Sequence, residues 1–288
     1  MPKSQTRPAN SVKTARPEKV KLSKKSKNTT ADPEASAKSA NDAPYVDLAR
    51  PELLKQLVHN DEEVRTKALN AVKQLLKTKR TVSEDDFMKL WKGLWYTMWH
   101  SDTPLVQQAL AADLASLFSV VSPKNFAAFV SAFWKIFARE WSTLDKWRLN
   151  KYYMLVRLVL AALLTRLAAS DWDAKSIADF TEMMTNPQFG PVSFGNSKVP
   201  HSLRLHVVDV YVGELAKAFG ERVPEKMVVE ALLEPMTSQL EYSEFKHVKR
   251  RVQEEVMEDE NLVEWGIVEP QPENNDEEDE DSEFEGFD

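Results

Sequence analysis

The stretch "RPELLKQLVHNDEEVRTKALNAVKQLLK", residues 50–77, predicts two short helices joined by a tight turn at residues 60–61. Pro51 fits the first turn of the first helix, and Leu54 and Leu57 lie one turn apart on it. In the second helix, the apolar residues that share one face are Val64, Ala68, Val72 and Leu75. The small Ala68 permits close approach of a neighbouring helix. We therefore expect two antiparallel helices, each with an apolar face that further helices must cover.

Helical patterns continue along the chain, and no convincing run of β-alternation occurs. Helices are predicted at residues 47–58, 61–78, 84–100, 104–121, 123–140, 145–169, 173–186, 200–219, 224–234 and 237–259. The first pair is similar to a HEAT repeat, an antiparallel helix pair of about 40 residues in which Val-Arg opens the second helix. Such a pair needs neighbouring repeats to complete its core. The predicted fold class is all-α, a HEAT-like α-solenoid of antiparallel helix pairs over residues 44–260.

Local signals indicate where these helices begin. The candidate N-caps are Asp47, Asn60, Ser83, Ser122 and Asp171, and Pro104 and Pro123, like Pro51, fit first turns. The stretch "NPQFGPVSFGNSKVP", residues 186–200, is different because its three prolines and two glycines forbid a helix. A loop of this length inside a helical array is uncommon and often functional, so it is either a recognition loop or a spacer.

The two ends of the chain carry opposite charge. Residues 1–40 contain 10 Lys or Arg and 3 Asp or Glu, whereas residues 253–288 contain 17 acids and no Lys or Arg. These compositions predict a disordered basic tail at residues 1–43 and a disordered acidic tail at residues 261–288. Five lysines lie close together in the basic tail: Lys19, Lys21, Lys24, Lys25 and Lys27. This cluster is typical of a nuclear or nucleolar targeting signal or a phosphate-binding arm, and a plain solvated linker is the alternative.

The composition excludes several kinds of site. The chain has no cysteine, which excludes disulfides, thiolate metal sites and cysteine nucleophiles, and none of its 7 glycines forms a phosphate-binding loop. Of the five histidines only His201 and His206 are close, at a spacing that suits joint metal binding poorly, and a pairing of His206 with Asp209 lacks further ligands. The apolar run at residues 154–169 is too short to span a bilayer, so it predicts a buried helix. We expect no catalytic residue, cofactor, metal or small-molecule substrate.

The stretch "LWKGLWYTMWHSD", residues 90–102, holds three tryptophans at four-residue spacing. A helical projection places Trp91 and Trp95 inside a continuous apolar arc, which predicts that they belong to the core. The other half of the helix carries Lys92, Gly93, Tyr96, Thr97 and His100. Trp99 falls at the edge between the halves, so Lys92, Tyr96 and Trp99 are candidate contacts for a partner or RNA.

Residues 133–158 form a second aromatic and basic stretch, in which Trp134, Phe137 and Trp141 share a face. The cations that decorate it, and that are further candidate contacts, are Lys135, Arg139, Lys146, Arg148 and Lys151. Interleaved aromatic and cationic side chains bind RNA through bases and phosphates. They also occur in ordinary amphipathic helices, where Lys and Arg stems cover apolar surface. Both interpretations stay open from the sequence.

Three blocks of sequence resemble one known family. In chain order they are "FMKLWKGLWYTMWHSDTPLVQQALAADLASLF", "FWKIFAREWSTLDKWRLNKYYMLVRLVL" and "VPHSLRLHVVDVYVGEL". Over about residues 48–220 the chain resembles the eukaryotic nucleolar family ribosomal RNA processing protein 1. The resemblance implies a non-enzymatic assembly factor that acts as a scaffold in nuclear, nucleolar precursors of the large (60S) ribosomal subunit. It further implies a requirement in processing of the internal transcribed spacer of the pre-rRNA.

The resemblance also implies partners. These are other large-subunit assembly factors, among them a Brix-domain protein and a β-propeller protein, with pre-rRNA as a secondary contact and no membrane association. Two other functions are compatible with a helical solenoid. One is a generic HEAT-type protein–protein adaptor unrelated to ribosomes. The other is an RNA-processing nuclease, against which the missing constellation of metal ligands argues.

Overall fold

The computed structural model describes residues 50–269, and the regular structure in this part of the chain is entirely helical. Its α-helices, in chain order, are α1 (Pro51–Leu57), α2 (Glu62–Leu76), α3 (Glu84–Trp99), α4 (Pro104–Val120), α5 (Pro123–Glu140), α6 (Lys146–Ala168), α7 (Ala174–Thr185), α8 (His201–Phe219), α9 (Lys226–Tyr242), α10 (Lys246–Val252) and α11 (Glu260–Glu264). A 3₁₀ turn, Trp141–Thr143, follows α5, and a π-helical stretch, Gln253–Met257, follows α10. The all-α prediction is confirmed, and the basic tail at residues 1–43 lies outside the described residues.

The helices pack side by side in two layers, as in an α-solenoid. One layer contains α1, α3 and α5, and the other contains α2, α4, α6 and α8. Neighbours within a layer run in the same direction, because Phe87, Trp91 and Trp95 of α3 meet Phe129, Phe133 and Phe137 of α5 in that order. Leu57 of α1 contacts Thr97 of α3, 40 positions further along the chain. Tyr153 of α6 contacts His206 of α8, 53 positions further along. The repeat therefore starts at HEAT length and grows longer along the chain.

The turn between α1 and α2 is held by side chains. The N-cap of α2 is Asp61, whose carboxylate accepts from the backbone N–H of Glu63 at 2.9 Å, and not the expected Asn60. The carbonyl oxygens of His59 and Asn60 instead accept from the guanidinium of Arg65 at 2.7 and 2.8 Å. The arginine that opens the second helix thus closes the turn, which gives the Val-Arg signature a physical role.

The other predicted helix starts are mostly correct. Pro51, Pro104 and Pro123 occupy first turns, and Ser83 caps α3 by accepting from the backbone N–H of Asp86 at 3.1 Å. The predicted N-cap of α7, Asp171, lies two positions before the observed one. Its backbone has a positive φ of 55°, and Asp173 caps α7 instead. Asp47 lies outside the described residues.

Two predicted boundaries near the C-terminus are wrong. Helix α9 continues through Pro235, where the sequence indicated a break, and ends only at Tyr242. Pro235 is buried, and the packing of α9 against α7 and α10 outweighs the roughly 3 kcal/mol that an interior proline costs. The acidic tail does not begin at residue 261, because α11 lies there and its Leu262 is fully buried.

The loop at residues 186–200 is a packed part of the domain. Val192 and Val199 are buried, and the buried guanidinium of Arg204 donates to the carbonyl oxygen of Asn196 at 2.8 Å. Phe194 of the loop remains exposed, and its ring centre lies 5.5 Å from that of Tyr242 in α9. The loop thus combines buried anchors along its length with one exposed aromatic side chain.

The apolar run at residues 154–169 lies in α6 and is buried against its neighbours, as predicted. Its inward residues include Leu155, Val159, Leu163 and Leu167. Within residues 50–269, no helix combines the length and the apolar character needed to cross a membrane.

Candidate functional site

Two of the three tryptophans of α3 are core residues. Trp91 and Trp95 are buried, and Trp91 donates its indole N–H to the carbonyl oxygen of Phe129 at 3.2 Å. The rings of Phe133 and Phe137 lie 4.9 and 5.0 Å from Trp91 and Trp95, respectively, mostly edge to face. The predicted core position of both tryptophans is confirmed, and neither indole is available to a ligand.

The polar half of α3 is smaller than the helical projection indicated. Gly93 and Thr97 are buried, because α1 packs on this face. A Cβ on Gly93 would lie 3.1 Å from the side chain of Leu54, so the glycine permits the close approach. The hydroxyl of Thr97 donates to the carbonyl oxygen of Leu57 at the end of α1 at 2.5 Å. Lys92, Tyr96 and Trp99 are left on the remaining edge.

This edge of α3 meets the corner between α5 and α6. The seven residues that form the shared surface, here named the aromatic–basic corner, are Lys92, Tyr96, Trp99, Arg139, Lys146, Trp147 and Arg148. The guanidinium of Arg148 lies 4.3 Å from the ring centre of Trp99, and the rings of Tyr96 and Trp99 are 6.4 Å apart. Stacking of the planar guanidinium on the indole fixes both side chains.

Two carboxylates organise the cations of the aromatic–basic corner. Glu140 accepts from Arg139 at 2.9 Å and lies 3.5 Å from the amine of Lys92. Asp145 caps α6 by accepting from the backbone N–H groups of residues 147 and 148, and it also pairs with the guanidinium of Arg148. Although desolvation alone would raise it, the pKa of Asp145 is lowered by its hydrogen bonds from Arg148. Both carboxylates are therefore already engaged by donors of the protein.

Lys151 is not part of the exposed surface, contrary to the expectation from sequence. It is only 5% exposed, and its amine donates to the carbonyl oxygens of Trp99 and Ser101 at 2.9 and 2.8 Å. Burial, assisted by the nearby charge of Arg148, lowers the pKa of Lys151 to about 8. Its role is to hold the C-terminal end of α3, and hence Trp99, in place.

Lys135 also lies apart from the aromatic–basic corner. Its amine pairs with Glu84 at the start of α3 at 2.6 Å and lies 5.6 Å from the ring of Phe189 in the loop that follows α7. Burial would raise the pKa of Glu84, but hydrogen bonds from Lys135 and Ser131 lower it. Of the eight candidate contacts in the folded body, six thus come together at the corner and two do not.

Trp147 is the residue of this surface that sequence reasoning missed. It is 82% exposed, and the amine of Lys146 lies 4.7 Å from its ring centre. A helical projection of α6 contains the signal. Val156 follows Trp147 by nine positions, and at about 100° per residue this places the two side chains on opposite faces of the helix. Val156 is fully buried, so Trp147 should face the solvent. The preceding aromatic residues of the same stretch are core residues, so the aromatic pattern alone does not single out Trp147.

The histidines do not assemble into a site. The ring of His206 contacts the carbonyl oxygen of Tyr153 at 2.8 Å, and Asp209 pairs with Arg251 at 3.5 Å, so His206 and Asp209 do not pair. His201 lies against His247 instead, at 3.1 Å between ring nitrogens. In the range 50–269, no group of three or more His, Asp or Glu side chains is arranged to hold a metal ion.

A groove with a volume of about 1210 Å³ is lined by residues of α4, α5, α6 and α7. Its walls include Phe126 and Phe180, and the guanidinium of Arg166 lies 4.1 Å over the ring of Phe126. Serines line it, but no histidine does, and Lys175 is paired with Asp179 at 2.9 Å. The lining therefore offers no nucleophile with an adjacent imidazole base.

Comparison with known families identifies the chain. The model of a family described as nucleolar protein Nop52 matches residues 49–286, which is most of the sequence. The chain belongs to the Nop52 family of nucleolar proteins. Membership confirms the predicted nuclear, nucleolar localisation.

Relatives of this Nop52-family chain carry the name proposed from the three sequence blocks. Ribosomal RNA processing protein 1 homolog B of Homo sapiens is 34% identical over 189 residues, which are 63% of this chain and 24% of that protein. The ribosomal RNA processing protein 1 homolog of Drosophila melanogaster is 34% identical over 182 residues, 61% of this chain and 26% of that protein. The ribosomal RNA processing protein 1 homolog of Dictyostelium discoideum is 26% identical over 220 residues, which are 71% of this chain and 44% of that protein. The resemblance is confirmed, and the matched region spans less than half the length of these relatives.

Proposed function

We propose that this Nop52-family chain is a non-enzymatic assembly factor that acts as a scaffold in nucleolar precursors of the large (60S) ribosomal subunit. The observation that carries the proposal is the aromatic–basic corner, an exposed cluster of aromatic and cationic side chains on a helical body, in a chain whose relatives are named for ribosomal RNA processing. We further propose that it is required for processing of the internal transcribed spacer. Its partners would be a Brix-domain protein, a β-propeller protein and pre-rRNA.

The build of the aromatic–basic corner supports binding rather than catalysis. Its cations stack on indoles or pair with carboxylates, and the one lysine with a strongly lowered pKa, Lys151, is buried against backbone carbonyls. A catalytic group needs access to a substrate, which this amine lacks. A scaffold instead needs side chains held in a fixed arrangement on rigid elements, and three helices provide that here.

The charge of the surface supports contact with an acidic ligand or partner. In the aromatic–basic corner, four cationic side chains face two carboxylates: the cations are Lys92, Arg139, Lys146 and Arg148, and the carboxylates are Glu140 and Asp145. Such an excess of positive charge steers an anionic surface towards it. Pre-rRNA meets this requirement, and so does an acidic patch on an assembly factor.

Sedimentation of the tagged full chain through a sucrose gradient of nucleolar extract tests the proposal. The parental chain is expected to migrate with large-subunit precursors. The double variant Lys92→Glu/Lys146→Glu should shift towards the free fractions. The matched control Lys67→Glu/Lys226→Glu changes the same number of exposed lysines, on α2 and α9, and should migrate like the parental chain. Migration of the parental chain only with free protein, or with a non-ribosomal partner after RNase treatment, would overturn the proposal.

The processing role has a separate readout. Depletion of the chain is expected to raise the amount of precursor RNA that retains the internal transcribed spacer, as measured by hybridisation with a spacer probe. The parental chain should restore processing, and the Lys92→Glu/Lys146→Glu variant should restore it poorly. Unchanged precursor levels after depletion would remove this part of the proposal.

A further inference from the structure

Trp147 differs from every other tryptophan of the chain. Four of them, Trp91, Trp95, Trp134 and Trp141, are buried. Trp99 lies under Arg148, and Trp172 and Trp265 pack on Phe219 with ring centres 4.5 and 5.3 Å away. Trp147 alone leaves most of its indole in water. Single exposed aliphatic side chains are ordinary on protein surfaces, but an indole offers a large flat face that binds ligands well.

The position of Trp147 is fixed by the backbone that carries it. Its N–H donates to the carboxylate of Asp145 at 2.9 Å, so it belongs to a capped first turn. Helix α6 is 23 residues long in all and is buried along its opposite face. The indole is therefore presented on a rigid element, which lowers the entropy cost of binding.

Cations flank the indole on both sides in the sequence. The amine of Lys146 lies 4.7 Å from the ring centre of Trp147, and Arg148 stacks on Trp99 beside it. Of the carboxylates nearby, Asp145 is engaged by Arg148 and by the cap of α6. A ligand on Trp147 would thus meet a flat apolar face surrounded by positive charge.

We propose that Trp147 stacks on an unpaired base of single-stranded RNA while Lys146 contacts the adjoining phosphate. The inference rests on the proposed function, since it names the ligand of the same aromatic–basic corner. A nucleotide supplies both parts that the surface calls for, a π face and an anion joined by a short linker. A duplex does not, because its base faces are covered by stacking. An apolar protein patch would have to bury the amine of Lys146 without an anion, which is costly.

The binding test uses the purified full chain and three fluorescein-labelled probes: a ten-nucleotide adenosine RNA, an abasic strand of the same length, and a ten-base-pair RNA duplex. The abasic strand carries the same phosphates, so it reports contacts that need no base, including those made by the lysines of residues 19–27. Affinity is measured by fluorescence anisotropy at several salt concentrations. We expect the parental chain to bind the adenosine strand more tightly than either control probe.

Trp147→Ala should weaken binding of the adenosine strand by roughly 5- to 150-fold, as loss of one stacked base does, and should leave the abasic strand unaffected. Trp147→Phe keeps a ring and should retain most of the affinity. The matched control is Leu105→Ala, which removes an equally exposed apolar side chain (79%) and should change nothing. Equal affinity of the parental chain for adenosine and abasic strands would overturn the inference. So would a Trp147→Ala variant that binds the adenosine strand like the parental chain.

The inference and the proposed function fail in different experiments. If the parental chain sediments with large-subunit precursors but shows no base-dependent binding, the proposed function stands and the stacking role is wrong. If the Trp147→Ala variant no longer sediments with large-subunit precursors but still binds RNA, Trp147 contacts a protein and the inference is overturned. If base-dependent binding is lost in Trp147→Ala but the parental chain never sediments with precursors, the RNA site stands without the proposed function.

Discussion

Two tryptophans of this chain make a matched test of core against surface. Trp91 is fully buried among four phenylalanine rings, whereas Trp147 is 82% exposed. A buried indole removes about 150–250 Å² from water, worth ~4–6 kcal/mol at about 25 cal/mol per Å². Residual burial in the unfolded chain lowers this value. We therefore expect Trp91→Ala to reduce the free energy of unfolding by about 3–5 kcal/mol, as in other buried aromatic truncations. Trp147→Ala should change it by less than about 0.5 kcal/mol.

Urea unfolding followed by far-ultraviolet circular dichroism measures both effects without relying on tryptophan emission. With a denaturant slope of about 3 kcal/mol per M, a loss of about 4 kcal/mol moves the midpoint of Trp91→Ala down by ~1.3 M. The midpoint of Trp147→Ala should coincide with that of the parental chain. Equal midpoints for the parental chain and Trp91→Ala would refute the core assignment. A large shift for Trp147→Ala would refute its placement in water.

Three further predictions follow from single contacts. A Cβ on residue 190 would come within 2.8 Å of the Asn186 carbonyl oxygen, so Gly190→Ala should destabilise the loop at residues 186–200 by more than about 2 kcal/mol. Trypsin should then cleave the loop faster than in the parental chain, and equal cleavage rates would contradict this. Thr97→Val should cost about 1–2 kcal/mol in thermal unfolding, since it leaves the last carbonyl of α1 without its donor, and an unchanged melting temperature would refute the contact. The pKa of Lys151 is lowered from 10.5 to about 8 in the folded chain. Between these two pH values the unfolded chain therefore binds more protons than the folded chain, so the free energy of unfolding rises with pH. The rise from pH 8 to 10.5 is at most about 3 kcal/mol. Urea midpoints of the parental chain should show this rise relative to Lys151→Met, and parallel pH profiles would contradict it.

The tryptophan helix shows how far periodicity determines the fold. The helical projection of α3 identified Trp91 and Trp95 as core residues, because a long apolar arc has only one way to be buried. It failed for Gly93 and Thr97, which look polar or neutral in the projection but lie under α1. A small or singly polar side chain on a helix does not reveal whether another helix approaches it. That depends on the stacking of repeats, which periodicity within one helix does not contain.

The burial of one candidate contact, Lys151, was not predictable for a related reason. Lys151 and Lys146 are both lysines of the same helix, yet one is buried and the other is exposed. The difference arises from the end of α3, where free carbonyl groups of Trp99 and Ser101 attract the amine of Lys151. Such a tertiary cap joins residues about 50 positions apart, so no local pattern indicates it.

The geometry of the aromatic–basic corner depends on the core beneath it. Trp99 stands on the last turn of α3, which Lys151 ties to α6, and Tyr152 of α6 donates to the carbonyl oxygen of Trp95 at 2.9 Å. Variants that loosen this core would therefore disturb the surface without touching a ligand. A loss of binding in Trp91→Ala thus carries no information about recognition, whereas a loss in Trp147→Ala with an unchanged urea midpoint does. The two tryptophans separate folding from function because the same residue type occurs in the core of α3 and at the surface of α6.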